Sequence, residues 1–200
     1  MRLLKWATIS VFVSVFIYLT AASRPVAGDD HGTRVRWDVI QIVGGTTVEA
    51  GGTSTAATST AGSAPADGST ITLTGSGTFN PSDQQEVTGG GNWTTATANG
   101  TATANGTYRV TELIRFNLAP GTFAGLGLTD GVGDAANARP GLAVMKISYS
   151  DGSKGILVFS CTLNGSPLTM MEGTTTTKGF VDYSNPDGNA LTLFHVTNED

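Results

Sequence analysis

One cysteine, two histidines and eleven basic residues are all that this chain of 200 offers of those types. The lone thiol, Cys161, excludes an intramolecular disulfide, so a fold here must rest on a hydrophobic core rather than on cross-links. The histidines, His31 and His195, stand far from each other and from Cys161, which leaves no metal site of the zinc type. The basic residues form no run, and sixteen acids outnumber them. The resulting net charge of −5 repels phosphate backbones and anionic lipid, so nucleic acid is not an expected partner. Nucleophile elbows of the G-x-S-x-G kind, phosphate-binding loops and paired H-E-x-x-H histidines are absent as well, and no cofactor is implied.

Long apolar runs are also missing, except at the start. Arg2 and Lys5 precede an uncharged, mostly apolar stretch of 18 residues, 6–23, followed by small residues. Basic, apolar and small segments in that order predict a secretory signal peptide over 1–28, cleaved somewhere in 22–28. An uncleaved membrane anchor is the alternative, although a span needs about 20 apolar residues and this run is diluted by Ser and Thr. Three of the eleven basic residues and no acid lie before residue 29, so a processed chain would carry eight against sixteen, a net −8. The expectation is a secreted or extracytoplasmic domain over 29–200, with no membrane span after cleavage.

What the chain does have is Gly, Thr and short alternating patterns, the signature of an all-β domain. Residues 34–43 set Val35, Trp37 and Val39 on one face and Arg36 and Asp38 on the other. In residues 44–70, 23 of 27 are Gly, Ser, Thr or Ala, which reads as a low-complexity loop or as a weak strand at 53–60. Residues 70–79 alternate, with Gly75 and Gly77 marking a bulge or bend. Thr-Ala-Thr-Ala-Asn-Gly then occurs twice in tandem, at 95–100 and 101–106, which predicts a lengthened hairpin with Asn-Gly in a type I′ turn. Residues 108–118 form the longest clean strand, 142–150 and 155–163 the best hairpin, and 190–196 the last strand. The expected architecture is an antiparallel barrel or sandwich of about eight strands.

Within 108–118, Tyr108, Val110, Ile114, Phe116 and Leu118 share a parity, and Glu112 falls among them. A carboxylate on a core-facing row must be paired, hydrogen-bonded or protonated. Glu112 is therefore either a polar group in a ligand pocket, with a raised pKa suited to acid–base work, or a structural ion-pair partner. His195 lies on the parity of Leu191 and Leu193 and is a second candidate, with Tyr108 a third. Asp130-Gly131-Val132-Gly133-Asp134 lacks the acidic spacing of a calcium loop and reads as a turn. Trp37 and Trp93 are either core packing or a sugar-binding platform. Sequons stand at Asn92, Asn99, Asn105 and Asn164.

In size and strand-rich texture the chain is similar to small exported barrels such as lipocalins, dirigent proteins and allene oxide cyclases, but it carries none of their motifs. The function expected from these residues is non-catalytic: an exported β domain that binds a small ligand or a component of the envelope or matrix. The alternatives are a small barrel isomerase or lyase using a buried carboxylate, and a structural surface protein.

Overall fold

The structure, a computed structural model, describes residues 32–59 and 67–198. The expected signal segment, His31 and part of the Gly/Ser/Thr/Ala segment lie outside the described residues. Among the described residues the domain is all-β, one sheet without a helix. Strand β1 (Thr33–Val43) buries Val35, Trp37 and Val39 on its inner face, as its alternation requires. Two short strands follow, β2 (Thr47–Ala50), folded back on β1, and β3 (Ser54–Ala57). The segment 70–80 bends at Thr74-Gly75 into β4 (Thr70–Leu73) and β5 (Ser76–Asn80); the first half pairs with β3 and β7, and the second with β1, β6 and, at Ser76 alone, β7. Strands β6 (Asp83–Val87) and β7 (Gly90–Ala96) are likewise one run broken at Thr88-Gly89.

The tandem hexapeptide shows how far context overrides local sequence. Its first copy makes the turn between β7 and β8 (Ala102–Leu118), where the Thr101 carbonyl accepts from Thr97 N and the Thr97 carbonyl from Gly100 N. Only Gly100 takes positive φ, +82°, whereas Asn99 does not, so the turn is not the expected type I′, which needs both. The second copy runs straight in β8, with Asn105 opposite Thr94 and Gly106 against the Trp93 ring. A Cβ at Gly106 would lie 3.0 Å from Trp93 Nε1. The first copy enters as strand at Thr95-Ala96 and turns over 97–100, whereas the second, exposed from Thr101 to Asn105, pairs with β7 and meets Trp93 only at Gly106.

Beyond β8, a long covering segment holds the two-residue strands β9 (Thr129–Asp130) and β10 (Ala138–Arg139). The predicted hairpin follows as β11 (Gly141–Tyr149) and β12 (Lys154–Cys161), in register from Gly141–Cys161 to Ser148–Lys154. Then come β13 (Gly173–Lys178), β14 (Val181–Tyr183), β15 (Asn185–Pro186) and β16 (Leu191–Asn198), the last pairing with β1 over eight residues.

Among the described residues sixteen strands thus replace the expected eight or so, because bends split long strands and the loops add two- to four-residue pieces. The sheet runs β10-β16-β1-β5-β7-β8-β11-β12-β13-β14 and does not close into a barrel. It curls far enough for its inner faces to meet. Trp37 of β1 packs edge-on against Phe159 of β12 at 5.3 Å, and Phe194 of β16 meets Phe159 at 5.0 Å and Phe116 of β8 at 5.2 Å. Trp93 and Tyr149 fill the other end, capped by Lys178, whose Nζ sits 4.2 Å from the Trp93 ring. Both tryptophans are therefore core, at 0% and 2% exposure, and neither offers a sugar platform.

Where a barrel would be zipped by backbone pairs, side chains bridge the seam. Thr192 Oγ1 of β16 donates to the Ser160 carbonyl of β12 at 2.6 Å. Ser54 Oγ of β3 accepts from Thr174 N of β13 at 2.9 Å and contacts Thr174 Oγ1 at 2.7 Å. Glu172 completes the bridge.

Candidate functional site

Glu112 does not enter the core. Two register shifts in the β8–β11 ladder leave Thr111 and Ile114 unpaired, and the stretch between them, Glu112-Leu113, has its parity reversed. Leu113 takes the inner position at 1% exposure, while Glu112 faces outward opposite Lys146, with both carboxylate oxygens 2.8 Å from Lys146 Nζ. A strict period of two reads this strand wrongly because each bulge inserts one residue. Glu112 is a half-exposed ion pair of the kind worth about 1 kcal/mol or less. Glu112→Gln is expected to lower stability by no more than that in urea melts; a loss above about 3 kcal/mol would mean that the carboxylate is bearing buried structure.

Tyr108 is buried at 4% exposure, and its hydroxyl donates to the Thr74 carbonyl at 2.9 Å, pinning the bend between β4 and β5. Burial pushes its phenol far above the ordinary value, so it holds its proton. His195 shares a face of β16 with Leu191 and Leu193, as its parity predicts; the inner face belongs to Phe194, opposite Trp37, and residues 130–137 bury His195 from the outside. Its Nε2 lies 2.7 Å from Asp130 Oδ2, and the other oxygen of Asp130 accepts from Val132 N and Gly133 N at 2.9 and 3.0 Å. The loop can lie this close only because Gly133 lacks a side chain, since a Cβ would fall 2.8 Å from the ring. Arg36, on the neighbouring strand, spans Asp38 with two bonds of 2.8 and 2.9 Å. The side chains of His195 and Asp130 are 5% and 2% exposed, so a solute has no route to this pair. Tyr108, Glu112 and His195 thus occupy three separate sets of partners, and the structure does not bring them together.

Cys161 is fully buried, and burial, with Glu172 nearby, raises its thiol well above the ordinary range. Asp130 Oδ1 and Asp134 Oδ1 accept from backbone amides of their own loop, as a turn requires, while Asp130 Oδ2 meets His195. No helix among the described residues is long and apolar enough to cross a membrane.

Two places carry chemistry that the sequence did not single out. The first is Glu172, which lies between the ends of β12 and β16. Its Oε2 accepts from the amide and hydroxyl of Thr162, and its Oε1 contacts Thr192 N at 2.7 Å and Thr192 Oγ1 at 2.8 Å. The Thr192 hydroxyl has one proton and gives it to Ser160 O at the shorter distance, so its contact with Oε1 is best made by a protonated carboxyl. Burial pushes the Glu172 pKa upward, partly offset by the Thr162 and Thr192 donors, in line with that arrangement.

The second is an open trough on the outer face of β8, β11 and β12. Arg109 lies opposite Ser148, and Ser148 opposite Lys154, so two cations flank one hydroxyl across three strands. Two residues along β11, Lys146 adds a third, with Ile156 and Thr177 beside it. The trough holds about 560 Å³ and runs into a second hollow of about 330 Å³ that shares Arg109 and Ser148 and ends at Ser150 and Gly152. Among the described residues Arg109 and Lys154 have no acidic partner, whereas Lys146 is tied to Glu112. With Arg115 one row further, half of the eight basic residues beyond position 28 stand on this face. Comparison with protein-family models, with curated proteins and with solved structures finds no match to this chain.

Proposed function

We propose that the protein is an exported, non-catalytic β domain that binds an acidic polysaccharide of the cell envelope or matrix along the β8–β11–β12 trough. The observation that carries this reading is the row Arg109–Ser148–Lys154, with Lys146 beside it, on a chain that is otherwise acidic. An extended ligand suits two hollows in line better than one closed pocket. Cations placed about 10 Å apart over two strand spacings suit carboxylates repeated along a chain. Thr111, Ser148 and Thr177 supply hydroxyls for sugar oxygens. No aromatic residue lines the main trough, which removes the stacking platform that single-stranded nucleic acid uses. Binding is favoured over catalysis because the one close acid–histidine pair among the described residues, Asp130–His195, is sealed. Export rests on the basic and apolar start of the chain.

The test is retention on immobilised polygalacturonate, with neutral dextran and single-stranded DNA as comparisons. Wild type is expected to bind polygalacturonate and to be released by salt, since exposed charges are screened. Arg109→Ala/Lys154→Ala is expected to weaken binding on the order of tenfold, two contacts at about 0.7 kcal/mol each. Equal binding to dextran, tighter binding to DNA, or no effect of the double substitution would each remove this reading.

A further inference from the structure

Away from the trough, beyond the Cys161 end of β12, the segment 119–128 folds over the outer face of β1 and β16 and leaves a cavity of about 110 Å³. Ile40, Val48, Phe123, Leu128, Leu163 and Leu193 are among its walls, and Ile42 and Leu126, each about two-fifths exposed, stand at its rim. Glu172 and the Thr162 and Thr192 side chains are its polar floor. That floor has no proton left to donate. Each Glu172 oxygen already meets one amide and one hydroxyl, and the Thr192 hydroxyl is spent on Ser160 O. An anionic or acceptor group would lose its hydration and gain no donor, whereas a hydrocarbon loses only water contact.

The cover is fastened at both ends and loose between them. Thr122 N donates to Asn164 O, Ala119 N to Pro140 O, and Thr129 N to Thr46 O. Between these points the segment 124–127 has one backbone bond, Leu126 N to Phe123 O at 3.3 Å, and two side-chain bonds, both on Ala124: its N to Thr122 Oγ1 at 3.2 Å and its O from Asn164 Nδ2 at 3.4 Å. Leu126 is therefore held over the cavity mainly by apolar contact, between fixed hinges.

We infer that this cavity is a second binding site, independent of the trough, which takes a compact uncharged hydrocarbon ring or branched chain of about five or six carbons, with Leu126 as its lid. The size follows from the volume, roughly three-quarters of the ~150 Å³ cavity that is known to hold benzene. The lack of charge follows from the saturated floor.

Cyclopentane, benzene and benzoate are the probes, followed through the methyl resonances of Ile40, Val48, Leu128 and Leu163 and through the melting midpoint. Cyclopentane or benzene is expected to shift those methyls saturably and to raise the midpoint with ligand concentration, as any ligand of the folded state must. Benzoate is expected to do neither. Leu163→Phe, which fills the cavity from its wall, is expected to abolish the shifts at the remaining methyls. Ile42→Phe, at the rim, is the second blocked variant should the first not fold. The inference is overturned if neither hydrocarbon moves these methyls, if benzoate binds as well as benzene, or if a folded blocked variant binds like wild type. None of these outcomes depends on polygalacturonate binding, which reads the trough.

Discussion

Trp37→Ala is expected to lower unfolding free energy by about 3–5 kcal/mol, enough to unfold much of a domain of ordinary stability. Trp37 has no exposed surface and is the place where β1 meets β12 across the core, edge-on to Phe159. Removing the indole opens a void between strands that no backbone ladder joins, so relaxation by sheet closure is not available. Trp37→Phe separates packing from polarity. The indole Nε1 is buried and has no acceptor among the described residues, so that a phenyl ring forfeits volume and no hydrogen bond. Trp37→Phe should therefore recover more than half of the loss in urea unfolding. Equal losses for the two substitutions would show that the indole nitrogen matters after all.

The second large effect is expected at Glu172. Replacing it with Ala strips Thr162 N and Thr192 N of their acceptor and removes the bridge between β12 and β16. Buried donors left unsatisfied cost about 1–3 kcal/mol each, so a loss of about 2–5 kcal/mol is expected. The pH dependence has a definite sign. Because the folded-state pKa is raised above the unfolded one, the carboxyl stabilises the fold fully below its ordinary value near 4.3, and this contribution is lost as pH rises through the folded value. Glu172→Gln cannot titrate. The stability gap between wild type and Glu172→Gln should therefore be widest in acid and narrow as pH rises. A gap that widens with pH would mean that Glu172 is held as a carboxylate.

How much of this was legible in the sequence depends on whether information was local. The inner face of β1 and the β11–β12 hairpin follow from alternation and turn residues, and both stand where the pattern puts them. Glu112 was misplaced because bulges at Thr111 and Ile114 leave no mark in a strand of Thr, Ile and Arg. Strand number was misjudged because a bend at Thr74-Gly75 is written in the same residues as a bulge. Glu172 lay inside a stretch, 169–183, that reads as one longer or two shorter strands, after Met170 and Met171 and before Gly173, where alternation does not separate an inner from an outer face. A lone acid between apolar residues just ahead of a threonine strand was the available signal. The trough was less visible still. Arg109, Lys146 and Lys154 are no cluster in sequence, and only the register of three strands makes them neighbours.

That register is also what the binding proposal depends on, and an amide chemical-shift titration with a short oligogalacturonate tests it most directly. Shifts confined to 107–111, 146–150, 154–156 and Thr177, and reduced by Arg109→Ala/Lys154→Ala, are the predicted result. No shifts at millimolar ligand, or shifts centred on β1, β16 or the 119–128 cover, would contradict it.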